Sequence, residues 1–265
     1  MKKIFLATGI GLLIVIAYMF GTLNASRTIT IPPAAWTEDS ETADAWRQFV
    51  ASLEAAGARV FAATADSQER LDGLDYLAQL ATVSLEMKLA KGEDANPRFT
   101  DWMSDYRKFL GDSPDAIYDT AEVSPAFEYE ISGNIGDAEY LGFMLYGTGI
   151  NGWNRAAANI SKDCMEFDES GNFTIILSKN KPADADANWV QLDDDIHMVM
   201  VRQYYHGRAS KNRANFTIRN LAPPAFRPAT ESELAGKLTN ATTFFNDTLD
   251  GAIAVHGLIL KMMKL

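Results

Sequence analysis

The chain has 265 residues, 47% of them hydrophobic and 22% charged, which suits one generous globular core and excludes long disorder. A formal net charge of −11 and a pI near 4.8 repel nucleic acid and anionic lipid surfaces, so neither is expected as an electrostatic partner. The one cysteine, Cys164, excludes an intramolecular disulfide and a thiolate metal cluster, and only His197, His206 and His256 offer imidazole.

Met1-Lys2-Lys3 precedes an uncharged apolar run over residues 4–23. A basic start before such a run reads as a cleaved secretory signal or an uncleaved anchor. A run of that length spans a bilayer as a helix, and Leu23-Asn24-Ala25 is a poor cleavage site, so the anchor is favoured. With Lys2 and Lys3 held inside, the rest of the chain is expected outside the cytoplasm, tethered to the membrane by residues 4–23 or released if the signal is cleaved. Residues 26–39, with Pro32-Pro33, read as a linker.

Trp46, Phe49, Val50, Leu53, Val60 and Phe61 recur at helical spacing and predict a helix over 40–63. Leu71, Leu74, Leu77, Ala81, Leu85 and Leu89 predict a second over 67–91. The pair is expected to form a helical hairpin spanning 40–94, packed against something larger, since neither helix stands alone in water. Residues 95–124 lose helical periodicity and carry Trp102, Tyr106, Phe109 and Tyr118, which predicts a long ordered connection.

From Phe127 the period becomes two. Phe127, Tyr129 and Ile131 face one way, residues 132–137 are turn chemistry, and 140–146 read as the returning strand of a hairpin. A second hairpin is expected from 166–168 and 173–178. After Asn188-Trp189-Val190 comes the run Ile196-His197-Met198-Val199-Met200-Val201-Arg202-Gln203-Tyr204-Tyr205, a strand covered on both faces. Alternation puts Ile196, Met198, Met200, Arg202 and Tyr204 on one face, and His197, Val199, Val201, Gln203 and Tyr205 on the other. Residues 215–219 form a last short strand, so 95–225 are expected to be a meander of antiparallel strands, most simply a β-sandwich. Thr230-Glu231-Ser232-Glu233 is a capping box opening a C-terminal helical segment over 226–265, which Gly251 and Gly257 are expected to break or kink. The fold class is therefore α+β: a β-sandwich flanked by a helical hairpin and a C-terminal helix, behind a transmembrane helix in residues 1–25.

Several segments carry a resemblance. These are Arg70-Leu71-Asp72-Gly73-Leu74-Asp75-Tyr76-Leu77, Asp112-Ser113-Pro114-Asp115-Ala116-Ile117-Tyr118, Tyr129-Glu130-Ile131-Ser132-Gly133, Tyr140-Leu141-Gly142-Phe143, Gly171-Asn172-Phe173-Thr174-Ile175, Asn188-Trp189-Val190 and Val201-Arg202-Gln203-Tyr204. In order and spacing the stretch from about 45 to 220 resembles the bacterial DUF1214 family, a domain without established activity. The resemblance implies a sandwich of jelly-roll type and supplies no catalytic residues. The chain departs from the pattern at Gln203, where relatives often carry an aliphatic or aromatic residue.

No Gly-x-Ser-x-Gly, no phosphate-binding glycine loop and no paired histidines occur, so neither a bound metal nor a cofactor is expected. Asp184, Asp186, Asp193, Asp194 and Asp195 lack the EF-hand spacing and read as a solvated acidic turn. Arg202 is the anomaly on an apolar strand, because a guanidinium there needs a carboxylate, carbonyls or a bound anion. The candidate ligand-binding set is Arg202, Asp115, Tyr118, His197 and Tyr204. The competing reading for Arg202 is a structural ion pair that ties the long connection to the sheet, and for His197 a core imidazole bonded to backbone. Two functions follow: a binding or accessory module for a small, partly apolar ligand, or an enzyme on a small anionic or carbohydrate-like substrate. In the enzyme, Arg202 would hold the anion and His197 or Asp115 would move a proton.

Overall fold

The computed structural model describes residues 40–64, 66–104, 107, 113, 115–150, 154–183, 188–206 and 212–263. The apolar run 4–23 and the linker 26–39 lie outside them. Among the described residues no helix is long and apolar enough to cross a membrane. Those residues form an α+β architecture of three α-helices and two sheets.

Helix α1 (Glu41–Ala63) begins where Ser40, in extended backbone, accepts the Ala43 amide on its side chain. Helix α2 (Ser67–Leu85) begins at Asp66, whose carboxylate accepts the amides of Gln68 and Glu69, and ends in one π-helical turn, Glu86–Ala90. The larger partner expected for this hairpin is helix α3 (Glu231–Met263). Phe49 and Ala56 of α1, Leu77, Leu80, Val83 and Met87 of α2 and its π turn, and Ala241, Phe245 and Leu249 of α3 close one seam. The apolar stripes are narrower than expected, because three helices sharing one seam leave Trp46, Val50, Phe61, Leu71 and Leu74 exposed. The capping box forms as read: Thr230 Oγ1 accepts the Glu233 amide while the Glu233 carboxylate accepts the Thr230 amide. Gly251 and Gly257 do not interrupt α3. A lone helical glycine costs only about 1 kcal/mol, less than burial of Phe245 and Leu249 upstream contributes.

The strands are β1 (Thr100–Asp101), β2 (Ala116–Glu122), β3 (Tyr129–Asn134), β4 (Tyr140–Thr148), β5 (Asn154–Ser161), β6 (Asn172–Ser178), β7 (Asn188–Gln191), β8 (Ile196–Tyr204) and β9 (Asn215–Asn220). They form a five-stranded sheet, β1-β2-β8-β4-β5, and a four-stranded sheet, β7-β6-β3-β9. The long apolar run beginning at Ile196 forms β8, the central strand of the larger sheet, antiparallel to both β2 and β4. Leu141, Phe143, Leu145, Val199 and Val201 from that sheet and Tyr129, Ile131, Ile175 and Leu177 from the other share one core. Phe143 stands edge-on to both Phe173 and Phe216 across it.

Four expectations are corrected. β3 and β4 are not a hairpin: β3 pairs with β6 and β9, β4 with β5 and β8. Between them Asn134 Oδ1 accepts the Gly136 amide and Asp137 donates its amide to the Asn212 carbonyl, so the chain crosses to the other sheet instead of reversing. Residues 166–168 are not a strand. Asp168 instead takes the amides of Ser170 and Asn172 and closes a turn, while the unexpected strand is β5, a polar edge on β4. β7 runs parallel to β6, so the smaller sheet is mixed. Residues 95–124 are more than a connection, since they hold β1 and all of β2, which lies beside β8.

Candidate functional site

The face of the five-stranded sheet turned away from the shared core carries the residues of interest. Register sets Tyr118, Arg202 and Gly142 in one row across β2, β8 and β4, with Tyr204 and Tyr140 paired in the adjacent row. Pairing at this spacing brings side chains of neighbouring strands within contact. Arg202 donates from Nη2 to the Tyr146 hydroxyl at 2.7 Å. Among the described residues no carboxylate pairs with it. The Tyr140 and Tyr204 rings meet edge to face at 5.6 Å, and the Tyr118 hydroxyl lies beside that of Tyr204. Burial, then this hydroxyl, pushes the Tyr204 phenol above its ordinary range. Gly142 makes room for the layout, because a Cβ there would lie 2.3 Å from the Tyr140 hydroxyl. Arg202 and the four tyrosines are all half-buried. Further along β8 the same face is closed, with Met198 and Met200 buried.

Of the five candidate residues, the sheet brings together Arg202, Tyr118 and Tyr204 and leaves out the other two. Asp115 is exposed just before β2, beyond the Tyr204 row, where its amide meets Ser113 Oγ at 3.4 Å. His197 is exposed, where the sequence favoured a core imidazole. It sits near the start of β8, beside the bulge between Tyr146 and Gly147, with ring nitrogens 3.2 Å from Asn154 Oδ1 and 3.4 Å from the Asp195 carbonyl. The bulge interrupts the alternation there, and Ile196, expected on the Arg202 face, joins the core instead, so His197 is set apart from Arg202 by its place five residues earlier along β8. Tyr140 and Tyr146 were legible only as strand residues; their partnership with Arg202 depends on β4 being its neighbour.

Arg107, which no motif marked, takes the structural part expected of Arg202. Its buried guanidinium lies 3.1 Å from Glu86 at Nε and donates to the carbonyls of Asp101 and Trp102. The acidic turn is also accounted for where it is described. Asp195 pairs with Arg155 at 2.7 Å, Lys179 pairs with Asp194, and no group of three His, Cys, Asp or Glu side chains gathers among the described residues. Asp184 and Asp186 lie outside them.

The core side of the same sheet holds a second polar cluster. Gln203 Nε2 donates to Asp119 at 3.0 Å, the Tyr205 hydroxyl donates to Gln203 Oε1 at 2.6 Å, and that hydroxyl accepts the Ala214 amide at 2.8 Å. Gln203 is polar on an otherwise apolar stretch of the strand because its partners here are polar. Burial, and after it the Asp101 carboxylate opposite, push the Asp119 carboxyl up to about 6.

No protein-family profile matches the chain, and neither does any curated protein. Among solved structures it is similar to an uncharacterized protein from Burkholderia cenocepacia, with a TM-score of 0.69 and 28% identity over 78% of this chain. The chain spans 58% of the length of that protein. The VPA0106 protein from Vibrio parahaemolyticus is more distant, with a TM-score of 0.30 and 14% identity over 60% of this chain and 47% of that one. Neither name states an activity.

Proposed function

We propose that this chain is a membrane-tethered, extracytoplasmic binding or accessory module of the DUF1214 type, built on a jelly-roll-like β-sandwich. It takes a small, partly apolar anion on the Arg202 face. One observation carries the reading: among the described residues, the guanidinium of Arg202 has a phenol and no carboxylate for a partner, on a face lined with tyrosines. Its unused donors suit the planar fork of a carboxylate, and the rings of Tyr118 and Tyr140 suit an apolar body. The jelly-roll reading draws on the alternation of β2, β3 and β4 between the two sheets. Location draws on residues 4–23 and the two lysines before them. An enzyme is the weaker reading, since His197 stands at the start of β8, five residues before Arg202, and Asp115 lies exposed beyond the Tyr204 row.

The test is a thermal-shift and calorimetric screen of small aryl and alkyl carboxylates, each run beside its neutral amide. A carboxylate should bind while its amide does not, and Arg202→Gln should abolish binding in a folded protein. Equal binding of acid and amide, or a hit that survives Arg202→Gln, would sink the assignment. Carbonate washing of membranes tests the tether, and recovery of the full-length chain in the soluble fraction would refute it.

A further inference from the structure

The polar cluster on the core side of β2 stands apart from the Arg202 face. Asp101 and Asp119 are direct cross-strand partners in the β1–β2 pair. Like charges at such positions repel, and a two-residue edge strand has few backbone bonds to resist them. We propose that β1 is a proton-operated latch: a proton held between Asp101 and Asp119 closes residues 100–102 onto β2, and its loss lets this edge open.

Among the described residues, three segments bring polar groups to Asp119. From β1 comes the Asp101 carboxyl, in hydrogen-bonding reach. From β8 comes the Gln203 amide, itself held by Tyr205. The segment before β9 supplies Arg213, whose charge favours the ionised carboxylate, and Asp137 acts on the same cluster through Tyr205. Arg107, balanced by Glu86, grips the Asp101 and Trp102 carbonyls and anchors the far end of the edge. Gln203 and Arg213 lower the Asp119 affinity for its proton, but burial and Asp101 outweigh them and leave the carboxyl at about 6. The closed edge therefore holds a proton over a range where a hydrated aspartate has lost its own. Opening β1 rehydrates Asp119 and separates the two carboxyls. Both effects favour the open edge once the proton has gone. The Trp102 amide, which donates to the Tyr118 carbonyl at 2.8 Å, is the natural reporter.

Hydrogen exchange read by mass spectrometry on the full chain in nonionic detergent tests the latch. After correction for the intrinsic pH dependence of exchange, a peptide covering 99–104 should lose about tenfold in protection between pH 5 and pH 8, while peptides from β4 and β8 hold. Asp119→Asn should abolish the difference, because an amide keeps the neutral form at both pH values. Asp101→Asn should shrink it, and serves alone if the first variant fails to fold. Equal corrected rates in the wild type, an undiminished difference in Asp101→Asn or Asp119→Asn, or a loss spread equally over β4 and β8 would each overturn the proposal.

Discussion

Arg107 and Glu86 join parts of the molecule that the sequence treats as separate, the guanidinium beyond β1 and the carboxylate in the π turn that ends α2, with Nε and Oε2 3.1 Å apart. Because the guanidinium also holds two backbone carbonyls, every face of the buried group is occupied. Arg202 is the contrast, half-buried with one phenol for a partner. Chemistry alone does not distinguish the two arginines. Burial and partner do.

Arg107→Met should therefore cost about 2–4 kcal/mol, somewhat below the full buried-pair range because Glu86 keeps some contact with water. Arg202→Met should cost only about 1 kcal/mol, the value of one hydrogen bond. Urea denaturation of both variants checks the order, and a larger loss at Arg202 would mean that its partner had been misjudged.

What the sequence could and could not show follows from what each signal encodes. The run over β8 was legible because ten residues without Gly or Pro, apolar on both faces, fit only a covered strand. Alternation at Tyr129–Ile131 gave the inward face but no partner, so the crossing from β3 to the other sheet was not visible. β5 escaped because an edge strand needs little apolar character, and Asn-Arg-Ala-Ala-Ala-Asn-Ile-Ser has little. Arg202 stood out by contrast with its neighbours. Arg107 has polar neighbours in sequence and acquires its meaning only from residues that folding brings to it. Asp119 did leave a trace, as the one carboxylate at an inward position of β2 between Ile117 and Ala121.

Gly133 is a strand residue, not part of the turn that its neighbours suggest. A Cβ there would lie 2.2 Å from the Asn215 carbonyl and 2.8 Å from the Phe216 Cα, and both are backbone of β9. Gly133→Ala must push β9 away from β3, at a cost of about 2 kcal/mol or more. Gly251→Ala in α3, where nothing lies within 4 Å of the new methyl, should stabilise by up to about 1 kcal/mol. Thermal unfolding of the pair checks both signs in one experiment.

Phe245 is fully buried in the helical seam, edge-on to Phe49 at 6.3 Å. Phe245→Ala should cost about 3–5 kcal/mol through the cavity it leaves between α1, α2 and α3. Leu234→Ala, on the same helix but 41% exposed, should change stability by less than about 1 kcal/mol. Comparable losses at the two positions would contradict the packing of α3 described above.

The acid limb of stability separates Asp119 from the capping carboxylate. Asp119 has its proton affinity raised, from an ordinary 3.8 to about 6, by burial first and by Asp101 next. Between those values the folded chain keeps a proton that the unfolded chain has released. Stability from this group is thus complete below 3.8, falls as pH rises, and is lost above about 6. The shift corresponds to about 3 kcal/mol at most. Glu233 works in the opposite sense: Arg227 first, and the Thr230 amide after it, lower its carboxyl from 4.5 to about 2. Its contribution is present above 4.5 and disappears as pH falls through about 2. The windows do not overlap between pH 5 and 7, where Asp119 titrates and Glu233 does not. Urea midpoints across that interval should fall for the wild type and fall less for Asp119→Asn, while Glu233→Ala should run parallel to the wild type. A wild-type midpoint that rises or stays level, with Asp119→Asn following the same line, would show that Asp119 carries no raised proton affinity in the folded chain.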